Sequence, residues 1–137
     1  YTVNQESPFT GVVVKHYENG QKEGERRYRD GVTDGVWIWW NEDGQKRWEE
    51  RYKDGVKDGI WIEWYKNGQK SSEGSYKVGQ KDGLWTEWWD NGQKDSEGSY
   101  KDCLQDGKWI YWYRNGEKMW FKIYKDGELI EEIYQPK

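Results

Sequence analysis

The sequence predicts an all-β protein, an elongated single-layer antiparallel sheet of about five tandem 24-residue β-hairpin repeats with half-repeats at both ends. The first observation behind this prediction is the period, because two glycine series and one tyrosine series each recur every 24 residues. The second is the aromatic content, since 12 Trp, 11 Tyr and 2 Phe replace the aliphatic side chains of an ordinary core. A fixed period of this length is typical of a linear array, in which each unit packs on its neighbours. The three series are Gly11, Gly35, Gly59, Gly83 and Gly107; Gly20, Gly44, Gly68, Gly92 and Gly116; and Tyr28, Tyr52, Tyr76, Tyr100 and Tyr124.

The period also sets the predicted boundaries inside a single repeat domain, residues 1–137. The residues left over at the two ends match parts of a repeat. Residues 1–10 align with 73–82, a second strand and the turn after it, and residues 131–137 align with 59–65, a first strand. The predicted repeats are 11–34, 35–58, 59–82, 83–106 and 107–130, and the half-repeats are 1–10 and 131–137.

Two kinds of turn are predicted in each repeat. Asn67-Gly68 and its equivalents favour a two-residue hairpin loop with positive φ at both positions. Counting outward from such a loop sets Trp64 opposite Ser71 and Trp61 opposite Gly74, where the indole of Trp61 is expected to lie across the glycine. The second turn is assigned to the whole Lys-Asp-Gly-x-x-Asp-Gly segment, as in residues 53–59.

Strand alternation sorts the aromatic side chains onto two faces. Trp61, Tyr65, Gly74 and Tyr76 fall on one face, and Ile62 and Trp64 on the other. Both aromatic rows are candidates for partner binding or for packing, because a one-layer sheet uses its rings to bury surface and still leaves a face uncovered. The first row is Trp37, Trp61, Trp85 and Trp109 with Tyr52, Tyr76 and Tyr100; the second is Trp40, Trp64, Trp88 and Trp112 with Ile38, Ile62 and Ile110.

Residues 72–85, Ser-x-Gly-x-Tyr-x-x-Gly-x-x-x-Gly-x-Trp, resemble the membrane occupation and recognition nexus (MORN) repeat, and the complete unit is more similar to its bacterial variant. The resemblance covers residues 11–130. It departs from the pattern at Ser72, at Trp85 and at Cys103, which stands where a turn glycine is expected. The resemblance implies an elongated β-sheet that binds partners, often proteins. Some bacterial proteins with such repeats are described as antitoxins.

Composition argues against several classes of function. The net charge of −4 is spread with both signs interleaved, so there is no basic stripe for nucleic acid. No apolar run approaches the roughly 20 residues of a membrane helix. Neither His16, at the repeat position of Trp40, nor Cys103 belongs to a catalytic motif, and Glu63 and Glu87 recur as solvated strand positions.

We therefore expect a protein without enzymatic activity and without a cofactor. Calcium binding is a weaker alternative, because the Asp-Gly loops bring carboxylate oxygens together. The pairs concerned are Asp30/Asp34 and Asp54/Asp58.

The complementary half-repeats motivate the leading functional hypothesis, a structural or interaction protein that assembles end to end by β-strand addition. The candidate residues are Tyr1 and Val3 at one end and Glu132, Ile133 and Tyr134 at the other. The predicted partners are proteins, including other copies of this chain, and the product is a filament unless the contact closes into a ring. Because the sequence starts at Tyr1, signal cleavage and an extracellular or cell-surface location are expected.

Two alternatives stay open. A cytoplasmic antitoxin or immunity protein would bind a toxin over one sheet face, as the family resemblance suggests. A glycan or choline binder would use the exposed aromatic rows, because such rings stack on sugars and cage cations.

Overall fold

The computed structural model describes residues 7–135, which form one antiparallel sheet of 11 strands in chain order. Each strand pairs only with its sequence neighbours, so the sheet grows by one hairpin at a time, as the sequence predicts. The strands are β1 (Gly11–His16), β2 (Lys22–Arg29), β3 (Val32–Trp40), β4 (Lys46–Lys53), β5 (Val56–Trp64), β6 (Lys70–Lys77), β7 (Gln80–Trp88), β8 (Lys94–Lys101), β9 (Leu104–Trp112), β10 (Lys118–Lys125) and β11 (Glu128–Tyr134).

The tight two-residue turns lie at Asp30-Gly31, Asp54-Gly55 and Asp126-Gly127 and at the equivalent Val78-Gly79 and Asp102-Cys103. Asp54 and Gly55 have φ of 49° and 80°, and Lys53 pairs directly with Val56. Positive φ at both central residues is the signature of a type I′ turn, which matches the twist of a hairpin. The prediction of one long turn over residues 53–59 is therefore wrong at its second half, because Asp58 and Gly59 lie inside β5.

Two of these turns carry residues that are poorly suited to a left-handed backbone. Val78 has φ of 48°, and Cys103 has φ of 65° at the position that Gly55 occupies two repeats earlier. A side chain with a Cβ atom in this region costs roughly 1–2 kcal/mol. The Asp102-Cys103 turn is thus a strained version of the Asp-Gly turn.

Replacing Cys103 by glycine should therefore raise the free energy of unfolding by about 1 kcal/mol. Chemical denaturation followed by tryptophan fluorescence measures the change. Cys103→Ala is the matched control, because it removes the thiol and keeps the Cβ, and it should leave stability nearly unchanged. Equal stabilisation by both substitutions would trace the effect to the thiol and contradict the strain.

The Asn-Gly loops are three-residue loops, so the predicted two-residue loop is wrong. In the loop after β5, the Gly68 N–H donates to the Tyr65 carbonyl at 3.0 Å, and the Tyr65 N–H donates to the Gln69 carbonyl at 2.8 Å. Only Gly68 has positive φ, 86°, while the Asn67 side chain accepts from the Gln69 N–H at 3.0 Å. This is a type I turn closed by a left-handed glycine.

The longer loop changes the register close to it and leaves the rest as predicted. Trp61 pairs with Gly74, and Glu63 pairs with Ser72, as the outward count predicts. Trp64 then pairs with Lys70 instead of Ser71, because one residue of β6 bulges out of the ladder. Such a bulge turns two consecutive side chains toward one face.

The last strand departs from the repeat by one residue. By the period of 24, Phe121 should pair with Tyr134, as Glu97 pairs with Ile110, but Phe121 pairs with Ile133. Gly107 takes φ of 76° within β9, whereas Glu131 stands at its position in β11. In β9 the glycine lies in a wide irregularity of the ladder, between Asp106 and Ile110. β11 lacks this glycine and has a narrower irregularity, between Leu129 and Glu131. The resulting one-residue shift exchanges the faces of its side chains. The alignment of residues 131–137 with 59–65 is thus off by one residue.

Adjacent Asn-Gly loops are tied together by their side chains. The Asn67 Nδ2 group donates to the Asp90 carbonyl of the next such loop at 2.6 Å, and Asn19 and Asn91 repeat this bond at 3.1 Å and 2.7 Å. Asp43 keeps the local bond, accepting the Gln45 N–H at 2.9 Å, but a carboxylate has no N–H to give to the next loop. The column of loops is therefore weakened between the second and third repeats.

Asp43→Asn should restore this bond, with Lys66 supplying the carbonyl, and stabilise the chain by about 0.5–1 kcal/mol. Asn67→Asp is the reciprocal change and should destabilise by a similar amount. Thermal melts of the two variants measure both signs. If Asp43→Asn had no effect while Asn67→Asp destabilised, the loop after β3 would not be positioned to accept the bond.

The core is a layer of rings on one face. Trp85 and Trp109, 4% and 5% exposed, are the only apolar side chains in residues 7–135 that are almost fully buried. A buried indole removes roughly 150–250 Å² from water, so these rings supply much of the hydrophobic stabilisation that aliphatic side chains supply elsewhere.

Candidate interaction face

The first predicted aromatic row lies on one side of the sheet, which we call the tryptophan–tyrosine face. Tyr76 lies between two tryptophans, with ring centroids 6.1 Å from Trp61 and 5.3 Å from Trp85. Tyr100 bridges Trp85 and Trp109 in the same way, at 6.2 Å and 5.1 Å. Tyr52 contacts Trp37 at 5.3 Å. These spacings are those of favourable aromatic pairs, so the row is a continuous packed ladder.

Glycines in alternate strands make room for the ladder. A Cβ atom on Gly74 would lie 2.1 Å from the Trp85 ring, and one on Gly98 would lie 2.1 Å from the Trp109 ring. The indole N–H groups donate to the Ser75 and Ser99 carbonyls, each at 3.1 Å. The expectation that Trp61 crosses Gly74 is wrong, because the indole that covers this glycine comes from the following strand, β7.

The face already holds cations against its rings. The Lys57 ammonium lies 4.7 Å from the Trp61 centroid and 5.1 Å from that of Tyr76. Lys81 lies 4.4 Å from Trp85 and 5.1 Å from Tyr100. Such contacts contribute roughly 0.5–1 kcal/mol at exposed sites.

In β4, Glu50 occupies the repeat position that Gly74 has in β6 and Gly98 has in β8. Glu50 is 6% exposed, accepts the Tyr52 hydroxyl at 3.0 Å and lies 3.6 Å from the Lys57 ammonium. Burial, followed by the charge of Glu50, raises the pKa of Tyr52 to about 12. On β3, the buried Trp37 indole N–H finds no acceptor among the described residues.

An open groove of about 440 Å³ crosses the middle of the tryptophan–tyrosine face. Trp61, Tyr65, Tyr76 and Trp85 form its aromatic sides. Its polar lining consists of Glu63, Ser71, Ser72, Lys81 and Glu87.

The groove crosses from β5 to β7 because the side chains in one row across these strands are short or flexible. Glu63 pairs with Ser72, Ser72 with Glu87, and Ser96 with Tyr111. At the same row, β4 carries Trp48 and β10 carries Trp120. The groove therefore has aromatic walls and a floor of serines and carboxylates.

The groove is electrostatically negative. Burial raises the pKa of Glu87, the charges of Asp95 and Glu63 raise it further, and Lys81 partly opposes them. Burial also raises the pKa of Asp95. Glu63 and Glu87 are solvent-exposed, as the sequence predicts, but the sequence did not predict the groove that they line. The paired serines at 71–72 were a signal for it.

The second predicted row lies on the opposite side, which we call the tryptophan–isoleucine face. Its tryptophans alternate with lysines, since Trp40 pairs with Lys46 and Trp64 with Lys70. The bulge beside each lysine brings it to the face of the glutamate three residues later, as in Lys70–Glu73 at 2.9 Å. The other pairs of this kind are Lys22–Glu25, Lys46–Glu49 and Lys94–Glu97.

The residues considered for catalysis or metal binding do not come together in one site. His16 is exposed and pairs with Lys22, the place that Trp40 takes opposite Lys46. Cys103 is an exposed free thiol in its turn. Residues 7–135 contain no group of three or more His, Cys, Asp or Glu side chains arranged to hold a metal ion.

The candidate assembly residues divide between described and undescribed parts of the chain. Tyr1 and Val3 lie outside the described residues. The Tyr134 ring contacts the Trp120 ring in a tilted arrangement with centroids 4.7 Å apart, Ile133 is 46% exposed, and Glu132 lies 3.4 Å from the Lys122 ammonium.

Comparison with known proteins connects this geometry to a family. Residues 57–77 and 81–102 match the family described as MORN repeat variant. These two segments are similar to the MORN repeat variant. Each match runs from the first strand of a hairpin, through its Asn-Gly loop, into the second strand, so the family unit coincides with the hairpins β5–β6 and β7–β8.

Comparisons with solved structures and with curated proteins give weaker results. A chain in the crystal structure of the GtfA/B complex bound to UDP and GlcNAc is 19% identical, with a TM-score of 0.31. The similarity covers 88% of this chain and 24% of that one, so this chain spans about a quarter of that protein's length. No curated protein matches the sequence. The described part of the chain contains no helix that could span a membrane.

Proposed function

We propose that this protein acts without catalysis and binds a protein partner over the tryptophan–tyrosine face. The observation that carries the proposal is the open groove of about 440 Å³ on a sheet with a single layer. Concave sites with aromatic sides and a few polar groups are the usual form of a binding surface. The MORN-variant repeats support an interaction role of this kind.

Lysines lie over rings on both faces, so the choice of face rests on the groove. On the tryptophan–isoleucine face, Lys46 and Lys94 lie beside Trp64 and Trp112, 5.9 Å and 5.6 Å from their centroids. Those lysines are also held in ion pairs with glutamates on the same face. The tryptophan–tyrosine face has Ser71 and Ser72 in its groove, beside the half-buried Trp61 ring.

Site-specific photo-crosslinking tests this proposal without assuming the chemistry of the partner. A photoreactive residue replaces Ser72, on the tryptophan–tyrosine face, or Ser75, on the opposite face of the same strand. Protein adducts are compared in extracts of the source organism. We expect a discrete adduct from position 72 and none from position 75. Adducts from position 75 alone, or from neither position, would refute binding over this face.

Self-association through β11 is a second candidate, favoured by the exposure of this strand. Leu129, Ile130 and Ile133 are 49%, 60% and 46% exposed, and β11 pairs on only one side among the described residues. An edge strand offers free backbone donors and acceptors to another chain. The second copy would extend the sheet.

Light scattering over a wide concentration range tests the second candidate. Ile130→Lys should abolish assembly, because charge on an edge strand opposes pairing. Ile60→Lys is the control, since Ile60 is 45% exposed on an interior strand. A monomer at every concentration, or equal assembly by both variants, would rule out pairing through this edge.

A further inference from the structure

The groove carries more negative than positive charge, because Glu63 and Glu87 line it together with a single lysine, Lys81. Within residues 7–135, Glu63, Glu87 and Asp95 form no ion pair, while nearby Lys57 is paired with Glu50. Lys81 is directed over the Trp85 and Tyr100 rings. A partner segment that enters the groove would therefore have to bring positive charge, because desolvating unpaired carboxylates is costly.

The rings around the groove are suited to cations as well as to apolar side chains. Lys57 and Lys81 already show ammonium groups against the ladder at 4.7 Å and 4.4 Å. Arg26 makes the same contact with Trp37 at 3.9 Å. The guanidinium is more weakly hydrated than an ammonium and stacks on aromatic faces, so arginine suits the groove best.

The spacing of the groove selects a backbone conformation. Glu63 and Glu87 are separated by one strand, with Ser72 between them. Strands lie about 4.7–4.9 Å apart, so the two glutamates lie roughly 9.5–10 Å from each other. A polyproline II helix has three residues per turn and a rise of 3.1 Å, which brings residues i and i+3 to one side about 9.3 Å apart.

We propose that the groove binds a proline-rich, polyproline II segment of a partner protein that carries a basic residue at every third position. Two cations would face Glu63 and Glu87, and the prolines between them would pack against the half-buried rings of Trp61 and Tyr76. Aromatic-lined grooves bind such helices at low entropic cost, because the peptide is already extended. This inference rests on the proposed function and specifies its ligand.

Fluorescence anisotropy with labelled nonapeptides tests the spacing. One peptide has arginine at positions 1, 4 and 7 and proline elsewhere; the second has the same composition with the three arginines adjacent; the third has glutamate in place of arginine. We expect the spaced peptide to bind about tenfold more tightly than the adjacent one, a difference of about 1.4 kcal/mol. The glutamate peptide should not bind.

Matched variants locate the binding. Glu63→Gln with Glu87→Gln should weaken binding of the spaced peptide at least about tenfold, since charge-assisted bonds are roughly twice as strong as neutral ones. Glu49→Gln with Glu73→Gln removes the same charge from the tryptophan–isoleucine face and should leave binding unchanged. Thermal melts of both variants establish that they remain folded.

Each alternative result has a distinct meaning. Equal affinity for the spaced and adjacent peptides would overturn the proposed conformation, leaving only nonspecific charge attraction. Binding of choline or an oligosaccharide in place of every peptide would overturn it as well. A crosslink from position 72 without peptide binding would reject this ligand and leave the proposed function standing, whereas no crosslink would reject the proposed function itself.

Discussion

Replacing Gly98 by alanine should lower the free energy of unfolding by about 1–3 kcal/mol, the usual cost of forcing extra atoms into a packed site. The new Cβ would lie 2.1 Å from the Trp109 ring, which is 5% exposed and cannot withdraw without losing its neighbours. Those neighbours are the Tyr100 ring, 5.1 Å away, and the Ser99 carbonyl, 3.1 Å from the indole nitrogen. Urea denaturation measures the change.

The sign of this effect is diagnostic. Gly98 lies outside the positive-φ region, so alanine fits its backbone, and in an open strand the substitution would stabilise by about 0.5–1 kcal/mol. Gly24→Ala provides a graded control, because its Cβ would lie 2.8 Å from the outer edge of Trp39 and should cost less. Shrinking the ring with Trp109→Leu should remove the penalty of Gly98→Ala, as expected for residues in contact. Stabilisation by Gly98→Ala alone would contradict the packing.

The sequence predicts the repeat period, the strand order and the two faces because each depends on local alternation. Trp61 opposite Gly74 follows from counting along two strands. The sequence does not determine which indole covers that glycine, because the strands on both sides of β6 carry a tryptophan near it. In the structure the Trp85 ring occupies the position.

The turns show a second limit. Both Asn-Gly and Asp-Gly favour a type I′ turn, so residue preference alone does not separate them. Asn67 uses its side chain to accept the Gln69 N–H and keeps negative φ, whereas Asp54 takes φ of 49°. The same dipeptide preference is therefore compatible with both loop lengths, and the hydrogen bonds of the structure distinguish them.

The candidate groove was hidden from the sequence for a different reason. Glu63 and Glu87 are solvent-exposed, as the sequence predicts, but the sequence of either strand does not show that they line one groove. Their character depends on neighbours across the sheet, where Ser72 leaves space between them and burial raises the pKa of Glu87. A site built from side chains on successive strands can be recognised only after the register is known.

Replacing Trp85 by alanine should cost about 3–5 kcal/mol, the range for removing a large aromatic side chain from a core. The ring is 4% exposed, contacts Tyr76 and Tyr100, and lies under the Lys81 ammonium. Because each repeat packs mainly on its neighbours, the loss should be local to β6–β8. Hydrogen exchange followed by mass spectrometry should show faster exchange there than in β2 and β3.

Trp88→Ala is the matched control, with the same residue type in the same strand on the opposite face. Trp88 is half-buried, so its removal should cost less, about 1–2 kcal/mol by the area it withdraws from water. A larger cost for Trp85 would establish the tryptophan–tyrosine face as the main stabilising layer of the sheet. Equal costs would mean that the two faces stabilise the sheet to the same extent. The aromatic ladder would then not be the core of the sheet, and its rings would be available as a surface for the partner.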